Sequence, residues 1–135
     1  MSSNESLSHD LADAITDVAK LLIREGVHVN RTALSVLGTL RAGPRRITDL
    51  AGCEFISQPA MTTLVSRLEE EGWVERKRDP TDGRAVNVAI TKSGTATVEA
   101  ALEARAEALR KRIAPLSQKD RDAVARAVDA LRKLA

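Results

Sequence analysis

The sequence predicts a mainly helical α+β protein in which amphipathic helices surround one small β-hairpin. Three observations predict it. Apolar residues recur at three- and four-residue steps through most of the chain, whereas the segment from Trp73 to Ile90 alternates in strand fashion about a turn. The 135 residues, 43% hydrophobic and 30% charged, suffice for one domain with a core but not for two.

The elements follow in order. Residues 1–8 are polar and are expected as a flexible lead. Leu11, Ile15, Val18 and Leu22, with Leu21 a further candidate, stripe a first helix that Gly26 would stop. Asn30 would cap a second helix carrying Ala33, Leu34, Leu37 and Leu40, which Gly43 and Pro44 terminate. Residues 48–52 form a short third helix, with Ile47, Leu50 and Ala51 facing inward and Thr48 as candidate cap. After a bend over 52–56, Ser57 precedes Gln58, Pro59 and Ala60, and proline suits a first helical turn because its missing N–H would have no partner there. Met61, Leu64, Val65 and Leu68 then line one face of a helix over about 57–71, opposite Gln58, Thr62, Thr63, Ser66 and Arg67.

Gly72 ends that helix, and WVERKR sets Trp73 and Glu75 against Val74 and Arg76. In DPTDG, Pro80 fixes one dihedral and Asp82-Gly83 favours a tight reversal. AVNVAI opposes Val86, Val88 and Ile90 to Ala85, Asn87 and Ala89, which completes a hairpin over about 73–90. Helix, turn, helix and hairpin make a winged helix-turn-helix lobe, placed at 27–94. Thr91, or alternatively Ser93, caps a long alanine-rich helix with Val98, Leu102, Leu109 and Ile113 as its seam, broken by Pro115. Ser117 and Asp120 resemble a capping box for a last helix lined by Val124, Val128, Leu131 and Leu134. The helical segments 9–26 and 95–135 thus carry more apolar surface than so small a lobe needs, and a dimer would bury it.

Composition excludes several functions. Phe55 and Trp73 are the only aromatic residues, too few for an aromatic cage or a stacking platform for single strands. Cys53 is the only cysteine, and His9 and His28 lack the spacing of metal ligands, so neither metal nor other cofactor is expected. Asp79 and Asp82 read as turn formers rather than a catalytic pair, and the glycines are too dispersed for a phosphate loop; no enzyme is expected. The polar start lacks the character of a signal peptide and no apolar run approaches a membrane span, which points to a soluble cytoplasmic protein.

Net charge of +2 does not by itself call for nucleic acid. The local arrangement does. A helix that presents Ser57, Gln58, Thr62, Thr63, Ser66 and Arg67 offers groups for base edges and phosphates, with short side chains that permit close approach in a major groove. Arg76, Lys77, Arg78 and Arg84 flank the hairpin turn, and Arg84 at the tip suits a narrow minor groove. Alternation sends the strand residues to both faces, so only part of this cluster can meet one duplex. From Arg41 to Arg84 eight basic residues match eight acidic ones, and Glu69, Glu70 and Glu71 must lie away from phosphates.

Residues 47–94 resemble the MarR family of regulators, with weaker similarity in helix layout over nearly the whole chain. The wing pattern D-P-x-D-x-R followed by alternating apolar residues and I-T-x-x-G is the most specific part, and S-Q-P-A-M-T-x-L-V-x-x-L-E in the preceding helix agrees with it. The resemblance implies a homodimer with two winged lobes on a pseudo-palindromic double-stranded promoter site. It makes Ser57 to Arg67, Pro59 included, the recognition helix, gives Asp82 the role of bracing the wing, and sends Arg84 to the minor groove. Leu11, Ile15, Leu22, Val124, Val128, Leu131 and Leu134 would serve dimerisation. A repressor is implied, released in many relatives by a small phenolic or lipophilic effector or by cysteine oxidation. A pocket here would have an aliphatic lining with Arg24, Arg31 and Trp73 as its polar or stacking elements, and a dimer without any effector fits the sequence equally well.

This chain departs from the family pattern at three places. Phe55 stands in the turn where relatives often have Gly, as an apolar plug into the core or a change of bend. Gly83 replaces a second wing arginine, and Cys53 lies outside the N-terminal helix that carries the peroxide-sensing thiol. Two other readings use the same lobe: an activator or low-specificity architectural DNA-binding protein, and a protein-interaction module that has lost DNA binding.

Overall fold

The computed structural model describes residues 3–25 and 30–135, so the expected stop at Gly26 and the side chain of His28 lie outside the described residues. Six helices and three short strands follow one another: α1 (Asn4–Arg24), α2 (Arg31–Leu40), β1 (Arg45–Arg46), α3 (Ile47–Glu54), α4 (Gln58–Glu70), β2 (Val74–Arg78), β3 (Val86–Ile90), α5 (Lys92–Ile113) and α6 (Gln118–Arg132). They divide into two compact units, His28–Glu103 and the combination of Met1–Val27 with Ala104–Ala135.

The unit His28–Glu103 is a winged helix-turn-helix lobe. Val36, Leu37, Leu50, Met61, Val65 and Val88 have no exposed surface, and α2, α3, α4 and the sheet converge on them. Polar caps set the helix starts. The Asn30 side chain accepts from the amides of Thr32 and Ala33, and Ser57 Oγ accepts from the amide of Ala60, which satisfies donors that no helical carbonyl can reach. Thr48 is not the cap of α3; the helix starts one residue earlier, after Arg46, without a side-chain cap.

Helix α4 ends in a Schellman motif. The Gly72 amide donates to the carbonyl of Glu69 and the Trp73 amide to that of Leu68, with Gly72 at φ 79°. Helix α3 ends the same way, with Phe55 in the left-handed position at φ 54°, the Phe55 amide bonded to Gly52 and the Ile56 amide to Ala51. The expected apolar plug is therefore overturned: the Phe55 ring is 94% exposed, because the left-handed turn directs it away from the core.

The sheet has three strands rather than the two of a bare hairpin. β3 is central, antiparallel to β2 on one side and to β1 on the other, with Arg46 opposite Asn87 and Asn87 opposite Lys77. Val74 and Val88 are buried, whereas Val86, expected inward, is exposed because the hairpin outruns the core toward its tip. Thr91 closes the lobe: its hydroxyl donates to the carbonyl of Gly72 at 2.6 Å and accepts from the amide of Gly94 at 3.0 Å, making Thr91 rather than Ser93 the cap of α5. A Cβ built on Gly94 would lie 2.1 Å from the Trp73 carbonyl oxygen, so only glycine lets the start of α5 meet the start of β2.

The other unit holds α1, the later part of α5, and α6. Residues 4–8, expected as flexible lead, are the first turns of α1, because Ser3 Oγ caps the helix at the amide of Ser6. Pro115 follows the end of α5, and Ser117 caps α6 at the amide of Asp120. Neither α1 nor α6 buries a residue. The seam expected on α5 shifts: Val98, Ala101 and Ala108 are buried, while Leu102 is exposed.

Candidate nucleic-acid interface

Helix α4 buries Met61, Val65 and Leu68 and leaves Gln58, Pro59, Thr62, Thr63 and Arg67 exposed, with Ser66 half-buried. The three hydroxyl groups bond back along the helix. Thr62 Oγ1 donates to the Gln58 carbonyl at 2.9 Å, Thr63 Oγ1 to that of Pro59 at 3.1 Å, and Ser66 Oγ to that of Thr62 at 3.0 Å. Gln58 and Arg67 add longer side chains at the two ends of this face.

Beside it stands the wing. Arg76, on β2, is occupied within the lobe: its guanidinium donates to Glu69 Oε1 at 2.7 Å and to Ser66 Oγ at 3.1 Å, so it ties the wing to α4 and neutralises the first of the three consecutive glutamates. Lys77 pairs with Glu75 on its own strand. Arg78 and Arg84 are exposed, and no hydrogen bond or ion pair ties their guanidinium groups to other described residues. The basic cluster thus separates into a structural arginine and two guanidinium groups open to solvent.

The tip holds the tight reversal expected at Asp82-Gly83: the Ala85 amide donates to the Asp82 carbonyl at 3.0 Å across Gly83 and Arg84. Gly43 and Gly72 are the glycines with positive φ among the described residues, so this turn forms without a left-handed Gly83. A carboxylate organises the rest of the loop. Asp79 Oδ1 accepts from the amide of Thr81 at 2.9 Å, the hydroxyl of Thr81 at 2.8 Å and the amide of Asp82 at 3.3 Å, while Oδ2 accepts from Arg46 at 3.1 Å. The Thr81 amide and hydroxyl, then the Arg46 guanidinium, hold the Asp79 carboxyl far below the usual carboxylate range. Asp82, expected to brace the wing, makes a local bond to the amide of Arg84 at 3.1 Å.

Sequence reasoning missed Arg46 and the depth of the role of Asp79. A two-residue strand is too short to show a period, and nothing local links residues 33 apart. Of the effector candidates, Trp73 is half-buried against the lobe core, Arg31 is exposed at the start of α2, and Arg24 is exposed at the end of α1 in the other unit. Cys53 is exposed. Among the described residues no group of His, Cys, Asp or Glu is placed to hold a metal ion, and no helix is long and apolar enough to cross a membrane.

A polar helix face beside an arginine-tipped hairpin, on a winged helix-turn-helix lobe, defines a class: DNA-binding regulators of transcription. The model of the MarR family matches residues 29–86. The HTH-type transcriptional regulator MT0903.1 of Mycobacterium tuberculosis is 34% identical over 96% of this chain and 92% of its own length. Two solved structures share the fold. RV1404 of Mycobacterium tuberculosis superposes with a TM-score of 0.81 at 20% identity, covering 98% of this chain and 94% of that one. BpsR of Bordetella bronchiseptica, whose DNA binding is regulated by 6-hydroxynicotinic acid, gives a TM-score of 0.68 at 23% identity over 99% and 96% of the two chains. The chain belongs to the MarR family, whose members regulate transcription and are not enzymes.

Proposed function

We propose that the protein is a cytoplasmic homodimeric repressor that occupies a pseudo-palindromic promoter site and so excludes polymerase. The observation that carries this reading is the pairing of the exposed Gln58, Thr62, Thr63 and Arg67 face with a solvent-open Arg84 at the wing tip. In this reading α4 enters the major groove and reads base edges, and Arg84 reads the width of the adjoining minor groove. Arg78 neutralises phosphate, while Arg76 holds the wing to α4. Leu11, Ile15 and Leu22 on α1 and Val124, Val128, Leu131 and Leu134 on α6 form the dimer contact. Most of these side chains are exposed in the single chain, and an apolar surface of that kind calls for a partner.

Release by a small effector belongs to the same reading. The regulation of BpsR by 6-hydroxynicotinic acid supports a small aromatic or lipophilic acid as the chemical class, with Arg31 and Trp73 of the lobe as the groups that would meet its carboxylate and ring.

Selection from a randomised duplex library at about 150 mM salt tests the reading. An inverted repeat with A·T-rich flanks is expected. Binding without an enriched motif, lost as salt rises, would replace it with a low-specificity architectural protein, and no binding at low salt would favour a protein-interaction module. A site at which the bound protein raises transcription would make it an activator.

A further inference from the structure

The wing loop, residues 79–85, is folded around one carboxylate. Asp79 is the first residue beyond β2, and its side chain is only 11% exposed although it sits at a hairpin tip. Its amide donates to the carbonyl of Ala85 at 3.0 Å, the Ala85 amide donates to the carbonyl of Asp82 at 3.0 Å, and Asp82 in turn holds the amide of Arg84. Every link from β2 to Arg84 therefore passes through Asp79 or its bonded neighbours.

The remaining bond to that carboxylate comes from outside the hairpin. Arg46 lies on β1, at the far edge of the sheet, and its guanidinium crosses the central strand β3 to reach Asp79 Oδ2 at 3.1 Å. Two strand spacings, about 10 Å, separate the edges, a span that arginine covers and shorter side chains do not. The strand β1 leads directly into α3, the first helix of the helix-turn-helix pair. Arg46 thereby links the base of that pair to the tip loop.

We infer that Arg46 and Asp79 are positioning residues for the wing: the pair fixes where Arg84 stands relative to α4, and so sets how strongly sequence flanking the core site is discriminated, without either residue touching a base. The inference rests on the minor-groove role given to Arg84 above. It differs from the family pattern in placing the brace at Asp79 and in drawing its partner from β1.

The experiment uses the full chain and a duplex obtained by selection, in versions with A·T or G·C pairs at the wing flanks. Arg46→Gln is expected to lower the flank discrimination about two- to fivefold, the range open to one exposed ion pair, while affinity for a duplex trimmed to the core half-sites changes less than about twofold. Arg46→Lys keeps the charge but not the reach, and should restore little of the discrimination. In an Arg84→Ala background Arg46→Gln should add nothing, because the clamp then has no guanidinium to place. Unchanged discrimination, equal losses on core and flanks, or additive effects with Arg84→Ala would each overturn the clamp. Amide exchange without DNA is a second readout: Arg46→Gln should speed exchange at Thr81 and Asp82, and unaltered protection there would also overturn it. If Arg84→Ala itself leaves flank discrimination intact, the minor-groove role of Arg84 fails and the clamp falls with it; an intact effect of Arg84→Ala with no effect of Arg46→Gln removes the clamp alone.

Discussion

Residues 28–103 and the helices outside them carry apolar patterns of similar regularity and put them to opposite uses. In α2, Ala33, Leu34, Val36, Leu37 and Leu40 are all buried. In α1 and α6 none of the matching positions is, and Ala108 is the single buried residue of that unit among the described residues. Periodicity reports that a helix has an apolar face; it does not report whose surface covers it. The lobe finds its cover in its own chain, and the outer helices do not.

That contrast is open to direct attack. Leu37→Ala should cost the lobe about 2–5 kcal/mol, since its side chain has no exposed surface and the cavity cannot be filled from solvent; thermal unfolding measures it. Gly94→Ala should cost about 1–3 kcal/mol by the same measurement, because the added methyl meets a backbone oxygen rather than a side chain that can swing away. Val128→Ala should cost under about 0.5 kcal/mol in dilute protein, where its exposed position has nothing to lose. At concentrations where chains associate the cost should rise, and unfolding curves at two concentrations separate the cases; a large cost independent of concentration would mean that α6 is covered within the chain. Phe55→Gly should leave stability unchanged or raise it by up to about 1 kcal/mol, since relief from left-handed strain opposes the greater entropy of the unfolded glycine chain.

The smallest effect concerns acid. Glu25 in the outer helices and Asp79 in the wing both titrate below their ordinary values of 4.5 and 3.8. A carboxyl depressed on folding contributes stability above its unfolded pKa and loses it as pH falls through the folded one, so both contributions are full near neutrality and begin to fade as pH falls below about 5. Their causes differ. Glu25 depends first on the Arg112 side chain, with further help from the charges of Lys111 and Arg24, and Asp79 first on backbone and hydroxyl donors of its own loop. Raising salt to about 0.5 M should move the Glu25 titration back toward its ordinary value and leave that of Asp79 nearly in place, as followed by NMR.

Much of the fold was legible because its signals are local. Asn30, Ser57 and Ser117 cap helices at the residues their chemistry suggests, and Gly72 turns left-handed where a helix has to stop. The polar face of α4 followed from the spacing of Met61, Val65 and Leu68 alone. What escaped depended on distance in sequence. The strand β1 exists only because β3 offers it an edge, and the ion pair Arg46–Asp79 joins residues 33 apart that no window of sequence holds together. Asp82-Gly83 does form a tight turn, but the loop before it is held by a neighbouring carboxylate that accepts from three donors at once, which the turn's own residues do not reveal.

The back-bonded hydroxyls of α4 give its outer face a polarity. Each of Thr62, Thr63 and Ser66 commits its one hydrogen to a carbonyl of its own helix, and Ser66 also receives one from Arg76. A hydroxyl in that state can only accept. On the reading that α4 enters a major groove, the two threonines would match exocyclic amino groups, those of adenine and cytosine, and mismatch the carbonyl edges of guanine and thymine unless they rotated and surrendered a bond. Donors on this face come from the amide of Gln58 and the guanidinium of Arg67, at its two ends. The helix thus carries a direction, with hydrogen-poor oxygens between hydrogen-rich termini, that a roll of polar side chains conceals.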